Sequence, residues 1–259
     1  MKLSTVRDFI NFNSENNPNL DFITCPNTQK KITNKNLKIN LDKLNYYLSV
    51  EKKQKKNSLI CTLIENSLSG IQLMLGIMYS GMIQVPLNLV AGEEQLSYII
   101  EHSESKILFS TKSNLDLAQR IINKSSSKVE LIEIDKDNFI DGLNDEKTEL
   151  DNLNKSDNTL LMYTSGTTGK PKGVMLTHDN VLNGGKNVLI SHELTHTDKA
   201  LCVLPLYHIN GLIVTVIGPL VSHSSLVLSE KFSATNFWKH IKEFKCTWFS
   251  IVPTIVSSL

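Results

Sequence analysis

Apolar and polar positions along this chain follow two periods, and from residue 58 onward the two take turns. "SLICTLIEN" (58–66) is a short apolar run with strand character, "SLSGIQLMLGIMYS" has helical spacing, and "IQVPLN" returns to a strand pattern. "EEQLSYIIEHSE" (93–104) reads as an amphipathic helix, "KILFS" (106–110) as a strand, "LDLAQRIINK" as a helix and "KVELIEI" (128–134) as a strand. A polar stretch, 135–156, reads as surface loop. "TLLMYTS" is a strand, "DNVLNGGKNVLIS" a helix, and "KALCVLPL" and "HSSLVLS" two further strands. "SATNFWKHIKEF" is a helix and "CTWFSIVP" a last strand. Strands alternating with helices of this length predict β-α-β units: a three-layer α/β fold with a mostly parallel sheet flanked by helices. Residues 1–57, rich in Asn and Lys, read as solvated loops and helix faces.

Composition and charge narrow the function class. Lys and Arg number 27 against 26 Asp and Glu, so no excess positive charge favours bulk binding to nucleic acid or to an anionic membrane. Cys25, Cys61, Cys202 and Cys246 are widely spaced and form no C-x-x-C pair, which argues against a zinc knuckle or a redox motif. Met1 to Ile10 has the charges of Lys2, Arg7 and Asp8 and lacks the apolar run of a signal peptide. Between Glu65 and Glu93 no residue is charged, but Ser69, Gly70, Gln72, Gly81, Gln84 and Pro86 interrupt the stretch. It reads as a buried helix joined to a buried strand rather than a membrane span. The expectation is a reduced, soluble, cytoplasmic protein.

"YTSGTTGKPKG" (163–173) changes the picture. Its eleven residues hold three of the 12 glycines, five hydroxyls and two lysines. Glycine lets backbone N–H groups approach an anion closely, and a run of such groups forms an anion nest. Thr164, Ser165, Thr167 and Thr168 add hydroxyl donors, and Lys170 and Lys172 add positive charge around the stiffening Pro171. This is the chemistry of a polyphosphate cradle. It is not a Walker A loop, because two residues rather than four separate Gly166 from the Gly169-Lys170 pair. Nor is it a linker, since linkers lack lysines and do not follow an apolar strand such as "LLMY".

"YTSGTTGKPKGVMLTH" closely resembles the signature of the AMP-forming adenylating family: acyl-CoA synthetases, luciferases and peptide-synthetase adenylation domains. "LPLYHINGL" (204–212), "QVPLN" (84–88) and "VPT" (252–254) resemble further landmarks of that family, in its order and spacing. The resemblance implies the N-terminal subdomain fold of acyl-CoA synthetases. It also implies ATP-dependent activation of a small-molecule carboxylic acid to an acyl-adenylate, followed by transfer to coenzyme A. Thr164, Ser165, Gly166, Thr167, Thr168 and Gly169 would hold the β- and γ-phosphates, with Lys170 and Lys172 assisting and Mg2+ on the phosphates. His208 would border the acyl pocket near the reacting carboxylate, with Tyr207 and Gly211 beside it, and His178 would be structural. "LPLYHINGL" leans toward synthetases for small, medium or aryl acids rather than the long-chain type of fatty acid metabolism. The oligomeric state is open.

Two further readings complete the expectation. "HELTH" (192–196) fits the H-E-x-x-H zinc-protease pattern, which needs both histidines on one face in mid-helix. Family members are roughly twice as long, so residues 1–259 correspond to the N-terminal portion of the large AMP-binding domain. No match appears here for the family's ribose-holding aspartate, its threonine–glutamate motif or its C-terminal lid. A chain without them is expected to be inactive alone, or to serve only as a ligand-binding or interaction module.

Overall fold

The computed structural model of the protein describes residues 3–164 and 170–257. In chain order the first elements are helix α1 (Val6–Asn16), strands β1 (Asp21–Cys25) and β2 (Lys30–Thr33), and helix α2 (Asn34–Tyr46). Strand β3 (Leu59–Leu63), helix α3 (Leu68–Tyr79), strand β4 (Ile83–Pro86), helix α4 (Glu93–Ser103), strand β5 (Ile107–Thr111), helix α5 (Leu115–Lys124) and strand β6 (Glu130–Ile134) then alternate regularly. Strands β7 (Asn158–Thr164) and β8 (Lys172–Thr177) precede helix α6 (His178–Ser191) and strand β9 (Lys199–Cys202). A π-helical stretch (Asn210–Ile217) leads into helix α7 (Gly218–Val221). Strand β10 (Ser225–Leu228), helix α8 (Ala234–Phe244), strand β11 (Trp248–Phe249) and helix α9 (Pro253–Val256) complete the order.

The parallel strands belong to two sheets, not one, and the chain divides into two compact units. A central unit takes Asn40–Glu65 and Ser69–His178; a terminal unit takes the chain up to Ile39, Asn66–Leu68 and the chain from Asp179 on. In the central unit the strand order is β6-β5-β3-β4-β7-β8, parallel throughout except for the antiparallel pair β7 and β8. All five residues of β5 are buried, as in a parallel strand covered on both faces. Leu96, Ile99 and Ile100 of α4 and Ala118 and Ile121 of α5 join Cys61, Leu63, Val85 and Leu108 in the core. The helical spacing of those residues is the one visible in the sequence.

In the terminal unit the order is β11-β9-β10-β1-β2. Here the structure corrects the sequence reading of residues 1–57. The segment "DFITC" is a strand that pairs in parallel with β10, Ile23 opposite Leu226, and antiparallel with β2. Helix α1 is closed by a capping box between Thr5 and Asp8 and buries Val6, Phe9 and Ile10, the i, i+3, i+4 stripe of an amphipathic helix. Polar neighbours conceal short apolar stripes in this segment, which is structural and not merely solvated. The helix α6 approaches the π-helical stretch closely: a β-carbon on Gly184 would lie 2.7 Å from Ile213, and one on Gly185 2.8 Å from Ile217. The run "GLIVTVI" has no clean helical period, which is why the sequence does not announce it. All four cysteines are free thiols, Cys61 in the central unit and the other three in the terminal unit. No described helix is long and apolar enough to cross a membrane.

Candidate functional site

Thr164 and Lys172, which flank the candidate phosphate loop, lie at one edge of the central unit's sheet. The chain leaves that sheet at Thr164, the last residue of β7, and rejoins it at Lys172, the first of β8. Thr164 and Lys172 are register partners, and the Thr164 hydroxyl donates to the Lys172 carbonyl at 3.5 Å. Thr164, Lys170 and Lys172 are exposed. Ser165, Gly166, Thr167, Thr168 and Gly169 lie outside the described residues.

Tyr163, the first residue of the motif, is braced from the side by α4. Its hydroxyl shares a 2.7 Å hydrogen bond with Nδ1 of His102, and the two rings meet edge to face at 5.7 Å. The ring also lies over Gly173 on β8, where a β-carbon would come within 3.3 Å of it. Burial pushes the Tyr163 phenol well above its ordinary value, so it stays protonated. Tyr98, one turn before His102 on α4, carries the ammonium of Lys170 5.6 Å from its ring centroid, a cation–π arrangement. These α4 residues were not singled out in the sequence. Their i, i+4 spacing places Tyr98 and His102 on one helix face, and that spacing was the available signal.

The acyl-pocket candidates stand in the terminal unit. After β9 the chain runs through Val203–Leu206 and turns at Tyr207 and His208 into the π-helical stretch. The His208 N–H donates to the Pro205 carbonyl at 3.1 Å, and the Leu212 N–H donates to the His208 carbonyl at 3.0 Å. Gly211 is buried against the same turn: a β-carbon there would lie 2.3 Å from the Pro205 carbonyl oxygen. Glycine is therefore required at this position by close backbone packing. The His208 ring is exposed on one side and lies 4.7 Å from the half-buried Tyr207 ring on the other. Lost hydration on the packed side holds its pKa below the ordinary histidine value and favours a neutral imidazole. Asn210, in the same motif, accepts from the Ser250 hydroxyl at 2.7 Å. The structure thus gathers Thr164, Lys170 and Lys172 in one unit and Tyr207, His208 and Gly211 in the other.

The zinc-protease pattern does not assemble. Helix α6 ends at Ser191, and Glu193 adopts a left-handed φ of 52°, so His192 and His196 do not share a helix face. The His192 ring instead stacks on Trp248, at 5.9 Å and 20°. Among the described residues no group of three His, Cys, Asp or Glu side chains is placed to hold a metal ion. His178 begins α6 and is fully buried, with its N–H donating to the Asp157 carbonyl.

The family described as AMP-binding enzyme matches residues 11–259. A sulfoacetate–CoA ligase of Cupriavidus necator is 38% identical over 200 residues, which cover 76% of this chain and 39% of that ligase. An oxalate–CoA ligase of Arabidopsis thaliana is 31% identical over 211 residues, 78% of this chain and 41% of that ligase. The chain spans about two fifths of the length of these relatives. Among solved structures, the inhibitor-bound N-terminal domain of FACL13 from Mycobacterium tuberculosis superposes with a TM-score of 0.87 at 24% identity, covering 98% of this chain and 64% of that domain. Apo MatB from Rhodopseudomonas palustris gives 0.86 at 23% identity, covering 100% of this chain and 51% of that protein. At these identities the structural matches speak to the fold.

Proposed function

Since the chain belongs to the AMP-binding enzyme family, we propose that it is the N-terminal portion of an AMP-forming acid–CoA ligase. In the proposed reaction a carboxylate oxygen attacks the α-phosphorus of ATP. The bond from that phosphorus to the bridging oxygen breaks, and pyrophosphate leaves. The thiol sulfur of coenzyme A then attacks the acyl carbon and AMP departs.

The observation that carries this reading is the placement of Thr164 and Lys172 at adjoining strand ends, with Lys170 two residues before the second, within a segment that matches the family. Two ammonium groups and a hydroxyl suit an anion whose charge grows as pyrophosphate leaves. Magnesium on the phosphates would neutralise part of that charge; no described residue is assigned to it. His208, Tyr207 and Gly211 are proposed to border the acid. The neutral imidazole favoured at His208 can accept or donate a hydrogen bond without binding the carboxylate as a fixed cation.

The relatives named for sulfoacetate and oxalate support a short acid with a second anionic group as substrate. This agrees with the leaning of "LPLYHINGL" toward small rather than long-chain acids. A cytoplasmic location agrees with the composition. The test is pyrophosphate release with sulfoacetate, oxalate, malonate and a long-chain fatty acid, measured on this chain and on any longer product of the same gene. The chain alone is expected to give no acid-dependent release, and the longer product a preference for the short anionic acids. A preference for the fatty acid would overturn the substrate reading. In a protein that turns over, Lys170→Ala or Lys172→Ala should lower kcat by about tenfold or more and change the KM for the acid little.

A further inference from the structure

Asn66 follows β3 and belongs to the terminal unit, where it is 5% exposed. Its Nδ2 donates to the Leu204 carbonyl at 2.9 Å and to the Ser229 carbonyl at 3.2 Å, while its Oδ1 accepts from the Leu206 N–H at 2.9 Å. One side-chain amide thereby uses both donors and its acceptor, and it spans more than 130 residues of sequence to do so. The two residues it grips on the incoming segment, Leu204 and Leu206, flank Pro205. The Pro205 carbonyl in turn accepts the His208 N–H and is the surface on which Gly211 rests. On its other side Asn66 is tied to the end of β10, whose Ser229 N–H donates to the Cys202 carbonyl.

We propose that Asn66 is a positioning residue for His208: it clamps Leu204–Leu206, fixes the Pro205 carbonyl, and so sets where the imidazole and the π-helical turn stand. The assignment of His208 to the acid rests on the functional reading above; the clamp does not. An amide is needed rather than volume. Leucine of similar size would leave the Leu204 and Ser229 carbonyls and the Leu206 N–H without this partner, and aspartate would turn a carboxylate oxygen toward two carbonyl oxygens. Neither isostere should therefore substitute.

The experiment is NMR on this chain, comparing wild type with Asn66→Ala, Asn66→Leu and Asn66→Asp. It reads the hydrogen exchange of the Leu206 amide, the ring resonances of His208, and the response of that ring to added oxalate, malonate or sulfoacetate. In the variants the Leu206 amide should exchange about tenfold faster or more, as expected when a buried acceptor is lost. The His208 ring should shift, and its response to acid should need about tenfold more acid, while amides of β10 such as Val227 keep their protection. Rescue by leucine or aspartate would show that Asn66 only fills space. Unchanged Leu206 exchange and an unmoved His208 ring in folded Asn66→Ala would overturn the proposal. Should the variants not fold, the wild-type side-chain amide of Asn66 decides. It should exchange about tenfold or more slowly against that of the exposed Asn36, and equal rates would refute the clamp. A wild-type His208 that responds to no acid would refute the acyl-pocket reading, with Leu206 exchange still judging Asn66.

Discussion

Gly173 and Gly211 each stand inside a motif of the same family, yet their surroundings ask different things of them. At Gly173 an added β-carbon would meet the Leu161 side chain at 3.0 Å and the Tyr163 ring at 3.3 Å, atoms at the ends of side chains that can turn aside. At Gly211 it would meet the Pro205 carbonyl oxygen at 2.3 Å, with the Leu204 carbonyl at 3.0 Å, and backbone held in a clamped segment cannot turn aside. The central unit therefore presents the described part of its motif at an exposed sheet edge, where the contacts are made by side chains. The terminal unit embeds its motif in packed backbone, so that the proposed acid-facing role and the structural demands fall on the same few residues. A glycine in a sequence motif is thus not one kind of signal: it can mark a close approach of side chains or a contact between two stretches of main chain.

The comparison is sharpened most strongly by alanine at the two positions. Gly211→Ala should destabilise the protein by about 3 kcal/mol, the upper range for an overpacked site with no rotamer to relax into, whereas Gly173→Ala should stay within about 1 kcal/mol. Denaturant unfolding followed by Trp238 and Trp248 fluorescence, both in the terminal unit, measures the first; equal effects at the two sites would erase the distinction. Next, Tyr163→Phe removes the hydrogen bond to His102 and should cost about 1 kcal/mol, read in the exchange of β7 and β8 amides. Lys170→Gln should cost less, since it removes only the contact of the ammonium with the Tyr98 ring, and such a cation–π contact at an exposed site is worth about 0.5–1 kcal/mol.

The smallest effect is one of pH. Partial burial, the largest cause at each, lowers the pKa of His208, His223 and His240, all in the terminal unit. Each binds a proton less readily folded than unfolded, so their contribution to stability is present above the ordinary histidine value of 6.5 and is lost as the pH falls below it. In the central unit the lowered groups are carboxylates. Glu93 is held down first by its bond from Lys124 and Glu101 by the Ser126 N–H, and for Asp157 the Lys56 contact and its other bonds outweigh an opposing burial effect. Their contribution is lost only as the pH falls below their ordinary values of 4.5 and 3.8. Mild acidification should therefore loosen the terminal unit first. Amide exchange at pH 7, 5.5 and 4 checks the order, and simultaneous loosening of both units would break it.

Much of the central unit was legible in the sequence because its units are local. The spacing of Leu96, Ile99 and Ile100 declares α4, and "LDLAQRIINK" coincides with α5 as observed. The terminal unit hid its plan because its pairings are distant: no local pattern tells β1 that its partner is Leu226–Val227. That separation is why one sheet was expected and two are present. The candidate phosphate loop stood out by composition, since hydroxyls, lysines and glycines with little to bury have few structural uses. The acyl-side motif did not, since His208 and Gly211 gain meaning from the resemblance and from Pro205. Asn66, one polar letter after an apolar strand, gave no sign at all, because a clamp is defined by what lies at its far end.

The placement of the cysteines gives the molecule built-in reporters. Cys61 is buried under Ser103 and Ser105 with its thiol pushed up to about 11, and it is the central unit's sole cysteine. Cys246, in the terminal unit, is the least buried of the four. A neutral buried thiol reacts only when its surroundings open and it can ionise. A thiol reagent should therefore mark Cys246 first, Cys25 and Cys202 when the terminal unit breathes, and Cys61 only when the central sheet parts. The order in which those four masses appear in a spectrometer would time the opening of each unit without a single engineered label.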